Sequence, residues 1–183
     1  MCYLFSVRTI RATARYVRTV AAVTDLLSRL RIDCIFAGNV ARAAWLGEEV
    51  TRGSVDVIAL MKAEQKNQVA MMGSHRGFRV DPEQIAQSEE LDLVPLNFLD
   101  DDGEVRVHVL VASNALYGTM VRGGEAAMVG DVAIRIPSAE DMALLLAMSD
   151  DDVAVHRLTS SPQFDRTAYN RKLVSIGLRE HVV

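Results

Sequence analysis

The run from residue 34 to residue 60, CIFAGNVARAAWLGEEVTRGSVDVIAL, constrains the fold of this chain more than any other feature. A short apolar segment ends at Gly38-Asn39, a short helix follows, and a second apolar segment carries one carboxylate, Asp56. Alternate side chains of a strand lie on the same face, so Asp56 shares a face with Ile58. The pattern predicts two neighbouring strands joined by a helix that a glycine opens.

The rest of the chain predicts a mixed α+β fold, with a small mixed sheet flanked by helices and a helical C-terminal third. Central strands of that sheet are expected to contain Ile35 and Val57. Apolar residues at helical spacing predict an amphipathic helix over residues 11–30. The other expected elements are a helix over 62–72, a hairpin of strands 93–99 and 104–112, a helix over 114–122, a hairpin over 126–136, and helices over 139–148, 152–159 and 165–176.

Composition limits the class of protein. The chain has 183 residues, half of them apolar, and a formal net charge of −4, which disfavours a dedicated nucleic-acid-binding protein. No apolar run is long enough to span a bilayer, so a cytoplasmic protein without a membrane partner is expected. Cys2 and Cys34 are expected to remain reduced thiols. In the absence of repeats or linkers, one domain is expected over 1–183, with a core at about 17–136 and C-terminal helices at about 137–183.

Two segments resemble the nucleotidyltransferase fold superfamily. One is the strand–glycine–helix–strand run, and the other is the sequence IPSAEDM at residues 136–142, followed by three aspartates at 150–152. Similar segments occur in bacterial nucleotidyltransferase-like proteins, which include abortive-infection type toxins and minimal nucleotidyltransferases. The resemblance extends over about residues 17–178. It implies a nucleotidyltransferase-like fold and, for active relatives, Mg²⁺-dependent transfer of a nucleoside monophosphate from a triphosphate.

This chain departs from the family pattern at the positions that would bind metal. Relatives carry a second acidic residue where this chain has Ile58, and a third on a later strand where it has His108. Leucines at 144–146 stand where relatives often carry a lysine, and the loop around residues 48–50 is about three residues longer than expected. Because Mg²⁺ requires oxygen ligands, usually from one or two carboxylates, the single remaining acid, Asp56, predicts that metal-dependent transfer has been lost.

Three candidate site residues lie in the strand–helix–strand run. Asp56 is assigned a catalytic or metal-binding role if any activity remains, because a lone carboxylate on a buried strand is costly without a partner. Gly38 is equally compatible with a phosphate-binding turn and with a purely structural turn. Asn39 fits a helix N-cap better than a ligand contact.

Three further candidates come from the resemblance and from strand alternation. Arg52 and Ser54 stand where the family shows R-x-T-x-D, which implies that they face a triphosphate; an exposed loop pair is equally compatible with the sequence. His108 shares a face with Arg106 and Leu110 on its strand. A solvated or hydrogen-bonded histidine is favoured there over a ligand-binding one.

An arginine stripe is the feature that the resemblance does not explain. Arg8, Arg11, Arg15 and Arg18 recur every three or four residues, which places them on one helical face if the first helix extends far enough upstream. No acidic residue precedes Asp25, so the stripe lacks partners on its own helix. Such a face is usually solvated, and it would also suit a phosphate-rich ligand or an acidic partner.

The sequence leaves three functional hypotheses. The preferred one is a nucleotidyltransferase-fold protein that no longer catalyses metal-dependent transfer and binds a nucleoside triphosphate or a protein partner, for example within a toxin–antitoxin type system. The alternative is an active nucleotidyltransferase that binds Mg²⁺ with Asp56 and a second carboxylate such as Glu48 or Glu49. The third is a structural or oligomeric scaffold, and the oligomeric state is left open.

Overall fold

The computed structural model describes residues 7–87 and 91–178. Within these ranges the chain forms nine strands and eight helices. The strands are β1 (Arg8–Ala12), β2 (Cys34–Phe36), β3 (Glu49–Val50), β4 (Val55–Ala59), β5 (Phe78–Arg79), β6 (Leu93–Asp100), β7 (Gly103–Val111), β8 (Glu125–Val129) and β9 (Val132–Ile136). The helices are α1 (Ala14–Arg29), α2 (Gly38–Leu46), α3 (Gln65–Ser74), α4 (Pro82–Gln87), α5 (Ala115–Gly123), α6 (Ala139–Ala147), α7 (Asp152–Thr159) and α8 (Arg166–Ile176).

The larger of two sheets carries the strands that the sequence singles out. Its strand order is β2-β4-β7-β6-β5. β2 pairs antiparallel with β4, so that Ile35 lies opposite Ile58, and β4 pairs parallel with β7. The predicted neighbouring strands and the mixed α+β class are therefore confirmed. One detail differs, since β2 with Ile35 lies at an edge of this sheet and only β4 with Val57 is central.

A second sheet contains strands that the sequence does not reveal. Its order is β3-β1-β8-β9, with β1 parallel to both β3 and β8. The predicted helix over 11–30 starts only at Ala14, because the backbone before it pairs with strands far away in sequence. Arg8 and Arg11 therefore lie on β1 and Arg15 and Arg18 on α1, so the prediction of one helical arginine face is wrong.

Helix α1 is amphipathic and packs its apolar side into the core. Val20, Val23 and Leu26 are completely buried, at the spacing that places side chains on one helix face. The helix contacts α3, β4 and β7. It thereby covers one face of the larger sheet and leaves the opposite face of β4 and β7 for the site described below.

Each of the three C-terminal helices begins after a residue whose side chain caps it. Ser138 accepts a hydrogen bond from the backbone N–H of Asp141 at the start of α6, as an N-cap residue does. Asp151 caps α7 and Asp165 caps α8 in the same way. Helix α6 packs on both α7 and α8. A half-buried ion pair between Lys172 and Asp141 joins α8 to α6.

Two further features bear on the sequence predictions. The two hairpins, β6–β7 and β8–β9, form as predicted. Burial raises the pKa of the Cys34 thiol to about 11, with Asp33 adding to the effect, so this thiol stays protonated at neutral pH; Cys2 lies outside the described residues. None of the helices in the described part of the chain has both the length and the apolar character required to cross a bilayer.

Candidate functional site

Asp56 and His108 face each other on neighbouring strands. They are direct partners in the parallel register of β4 and β7. The Nδ1 atom of His108 lies 2.8 Å from Oδ1 of Asp56, at hydrogen-bond distance, and since the carboxylate can only accept, Nδ1 carries the proton. The His108 side chain is 34% exposed and that of Asp56 23%, so both reach the edge of a cleft while part of each is shielded from water. This pair is called the polar rung.

Both oxygens of the Asp56 carboxylate have close neighbours in the protein. The Ser54 hydroxyl donates a second hydrogen bond to Oδ1, at 2.9 Å. Oδ2 lies against Gly38 at the start of α2, so close that a Cβ atom on Gly38 would be 2.1 Å from it. Gly38 also has a φ of +50°. A glycine is therefore required here for two independent reasons, and the positive end of α2 faces a carboxylate that belongs to the protein.

The next pair along the same two strands is apolar. Ile58 is the register partner of Leu110, on the same face as the polar rung. This pair is called the apolar rung. Together the two rungs line a cleft of about 450 Å³, called the main cleft, whose other wall comes from α6. Its apolar lining is Ile58, Leu93, Leu110, Met142, Leu145 and Leu146.

A network of ion pairs closes one end of the main cleft. Arg42 of α2 donates to Asp151 at 2.8 Å and to Glu48 at 3.0 Å. Arg157 of α7 donates to the other oxygen of Glu48, at 2.6 Å. Arg42 and Asp151 line the main cleft, whereas Glu48 and Glu49 line a neighbouring pocket. The network ties α2 to the helices that follow residue 137.

The residues around Asp56 do not fit a magnesium site. Mg²⁺ requires an octahedral shell of oxygen atoms. At Asp56, one oxygen already accepts two hydrogen bonds, and the neighbouring positions hold Ile58 and an imidazole. Within residues 7–87 and 91–178, no three His, Cys, Asp or Glu side chains are grouped so that they could hold a metal ion. The donor set therefore resembles a neutralised carboxylate more than a metal-binding pair.

The structure brings most of the candidate residues together. Gly38, Asn39, Asp56 and His108 line the main cleft. Ser54 lies behind Asp56 and donates to it. Arg52 does not line the main cleft; it lies in two adjoining pockets.

Asn39 does not act as the helix N-cap that the sequence favours. Helix α2 starts one residue earlier, its N-cap is Ala37, and no side chain caps it. The side-chain amide of Asn39 lies instead against Gly53, where an added Cβ atom would be 2.3 Å from Nδ2. Asn39 thus links the start of α2 to the loop that precedes β4.

Sequence reasoning missed Arg42, Tyr117 and Leu145 as residues of the main cleft. Arg42 had a usable signal, because it lies four positions after Gly38 and so on the same side of a helix. The other two come from α5 and α6, which approach β4 only through tertiary packing. No local pattern in the sequence predicts that approach.

Solved structures similar to this chain are nucleotidyltransferases. The solution structure of the antibiotic-resistance factor ANT(2'')-Ia has 14% identity and a TM-score of 0.55, with 91% of this chain and 97% of that chain covered. Its crystal structure in complex with adenylyl-2''-tobramycin has 15% identity and a TM-score of 0.54, covering 93% and 100%.

An antigenic nucleotidyltransferase-like protein from Paracoccidioides brasiliensis has 12% identity and a TM-score of 0.50, covering 92% of this chain and 89% of that chain. No protein-family model and no curated protein matches the sequence. At such identities the similarity extends to the fold alone, and it agrees with the fold that the sequence predicts.

Proposed function

We propose that this chain, which has the nucleotidyltransferase fold, binds a nucleoside triphosphate in the main cleft and does not carry out metal-dependent nucleotidyl transfer. The observation that carries this proposal is the 2.8 Å contact between His108 and Asp56. The carboxylate that would hold a metal ion in an active relative has a protein donor instead. An imidazole in that position supplies a hydrogen bond to the carboxylate and not the oxygen ligand that Mg²⁺ requires.

The shape and lining of the main cleft support a nucleotide as the ligand. A volume of about 450 Å³ is typical of small-molecule sites. The leucines of α6 and the apolar rung offer a flat apolar surface for a base. At the other side, the first backbone N–H groups of α2 are suitable donors for phosphate oxygens. Arg42 can donate to a phosphate only by exchanging its contact with Asp151 or Glu48 for one with the ligand.

An active nucleotidyltransferase is the second candidate, and Asp151 is the observation that favours it. Asp151 lines the same cleft as Asp56, which makes it a better second carboxylate than Glu48 or Glu49. Its oxygens, however, accept hydrogen bonds from Arg42 and from the backbone N–H of Ala154. Recruitment of a metal ion would require these contacts to break, so we rank this candidate below nucleotide binding.

Calorimetric titration with each of the four nucleoside triphosphates, with and without Mg²⁺, tests the proposal. We expect at least one triphosphate to bind, with an affinity that Mg²⁺ changes by no more than about twofold, or 0.4 kcal/mol. Binding that requires Mg²⁺, together with release of pyrophosphate in the presence of an acceptor, would establish the second candidate. If no triphosphate binds at all, binding of a protein partner, as in a toxin–antitoxin type system, becomes the better candidate function.

A pair of variants locates the binding. Leu145→Glu places a negative charge inside the main cleft, and we expect it to weaken triphosphate binding by about tenfold or more, because the charge repels phosphate. Val153→Glu introduces the same charge on α7 at a side chain that is 74% exposed and does not line the main cleft. This control should bind like the unmodified protein. Equal effects of the two substitutions would show that the triphosphate binds outside the main cleft.

A further inference from the structure

A second cleft, of about 490 Å³, adjoins the polar rung on the same face of the larger sheet. Arg79, Asn97 and Arg106 form a row across β5, β6 and β7, because each is the register partner of the next. Arg106 precedes His108 by two residues, so its side chain shares the face of the polar rung. Arg15 and Arg52 also line this cleft, and these four arginines with Asn97 define the arginine cleft.

The positive charge of the arginine cleft is only partly neutralised by the protein. The side chains of Arg52 and Arg106 have no hydrogen bond or ion pair with any described residue. Arg15 donates only to the backbone carbonyl of Asp102. Arg79 alone has a carboxylate partner, Glu104, which is also the one acidic residue in the lining.

Some of the other arginines of this chain are paired with carboxylates, whereas exposed ones such as Arg31 and Arg171 are not. Arg18 contacts Asp100 and Asp102, and Arg29 contacts Asp25. Unpaired like charges that lie close together repel one another, so grouping them does not stabilise the fold. An anionic ligand removes that repulsion.

Asn97 gives a second, independent indication of a ligand. It is only 5% exposed. Its amide opens into the cleft without a hydrogen-bond partner among the described residues, where the Tyr169 hydroxyl is the only fully buried side-chain atom that lacks a partner. A buried polar side chain normally has a partner. Asn97 lies at the centre of the arginine row, between Arg79 and Arg106, where a bound group could accept from its amide.

We propose that the arginine cleft binds a linear oligophosphate, either free or as the phosphate chain of a nucleotide. The planar guanidinium donates two parallel hydrogen bonds to phosphate oxygens, and several such groups around one cleft suit a chain of phosphates better than a single anion. The limited volume and the net charge of the protein, −4, favour a small ligand over a nucleic acid. No residue lines both this cleft and the main cleft, so the inference does not depend on the proposed function.

Titration with inorganic tripolyphosphate, without any nucleotide, tests this inference. The test variant is Arg52→Gln with Arg106→Gln. Its control is Arg31→Gln with Arg171→Gln, which removes the same charge at two exposed positions away from the cleft. We expect the test variant to bind tripolyphosphate at least about tenfold more weakly, and the control to change affinity by less than about twofold.

A third variant, Asn97→Asp, changes the floor of the cleft with almost no change in shape. The added negative charge should weaken tripolyphosphate binding by about tenfold, provided that circular dichroism shows an unchanged fold. Unchanged affinity in the Arg52/Arg106 variant, or an equal loss in its control, would overturn the inference.

Two further measurements separate the sources of the phosphate chain and the two clefts. If ATP competes with tripolyphosphate and binds with the same affinity, the cleft takes a free oligophosphate; if ATP competes and binds more tightly, the phosphate chain of a nucleotide is the ligand. Absence of competition by ATP excludes the nucleotide source and leaves the free one. Leu145→Glu should leave tripolyphosphate binding unchanged, so failure of the proposed function is distinguishable from failure of this inference.

Discussion

Two adjacent rungs of β4 and β7 lie on one sheet face and have opposite chemistry. Asp56 and His108 form the polar rung, and Ile58 and Leu110 the apolar rung two residues further along. The polar rung has a hydrogen bond across the strands and a second donor in Ser54. The apolar rung has only packing contacts, and Ile58 is 2% exposed.

The difference between the two rungs concerns which side chains at these positions could bind a metal ion. A metal site on paired strands requires acidic residues at alternate positions, because those positions share a face. On the proposed function, Ile58 supplies no metal ligand at the second of these positions, and the partly buried carboxylate of Asp56 requires another partner for its charge. His108 supplies that compensation from the neighbouring strand. On the proposed function the two residues act together: Ile58 offers no ligand to a metal ion, and His108 hydrogen-bonds the carboxylate of Asp56.

The largest expected effect follows from conversion of the apolar rung to a polar one. Ile58→Asp places a carboxylate in a buried position, and we expect the free energy of unfolding in urea to fall by roughly 3–5 kcal/mol. Combined with His108→Asp, it adds two carboxylates to that of Asp56, and Mg²⁺ should recover part of that loss. Ile58→Asn with His108→Asn is the matched control, with similar shape and no added charge. If Mg²⁺ does not distinguish the two double variants, these positions do not correspond to metal-ligand positions.

A smaller effect is expected where α2 approaches the polar rung. Gly38→Ala brings a Cβ atom within 2.1 Å of Asp56 at a φ of +50°, and we expect a loss of roughly 2–3 kcal/mol in the free energy of unfolding. Gly47→Ala, at the other end of the same helix, has a φ of +70° and no atom within 4 Å of the added methyl group. Backbone strain alone should cost about 1 kcal/mol there. Equal losses would show that Asp56 is not held tightly against α2.

The hydrogen bond within the polar rung is worth less, since both side chains are partly exposed. His108→Ala should lower the free energy of unfolding by about 1–2 kcal/mol. His108→Asn keeps a donor near the position of Nδ1 and should recover part of the loss. A double-mutant cycle with Asp56→Ala isolates the interaction between the two side chains. A coupling energy near zero would mean that His108 does not stabilise Asp56.

The sequence predicts the parts of the fold that repeat a local pattern. Alternating apolar residues identify β6 and β7, and the aspartates and glycine between them identify their turn. The apolar spacing of Val20, Val23 and Leu27 identifies most of α1. The shared face of Asp56 and Ile58 follows from strand alternation alone, so the sequence predicts one residue of each rung.

Elements made by pairing with distant segments could not be predicted in this way. β1, β3 and β5 are short. β1 pairs with β3 and with β8, and β5 pairs with β6. The loop around residues 48–50, which is longer than the family pattern predicts, contains β3, and β3 pairs with β1. The contact of His108 with Asp56 depends on the register of β4 and β7, which no local feature of either strand reveals.

The arginine cleft is a further case of residues gathered by topology. Arg15, Arg52, Arg79 and Arg106 are widely spaced along the chain and come from four different elements or loops. The stripe that the sequence suggested contributes only Arg15 to this cleft, while Arg18 is paired with aspartates. Charge spacing in a sequence is therefore a poor guide to a charged surface unless the secondary structure is right.

Asp56→Asn tests most directly whether the polar rung has replaced a metal site. Without Mg²⁺, the Asp56 carboxylate repels phosphate, and the asparagine amide can still accept from His108 and Ser54 with the same shape. We therefore predict that the variant binds its triphosphate about three- to fivefold more tightly, equivalent to roughly 0.6–1 kcal/mol, in calorimetric titrations that also include Leu145→Glu as a weakly binding control. Weaker binding of the Mg²⁺–triphosphate complex by Asp56→Asn, with loss of a transfer activity that the unmodified protein shows, would contradict the account.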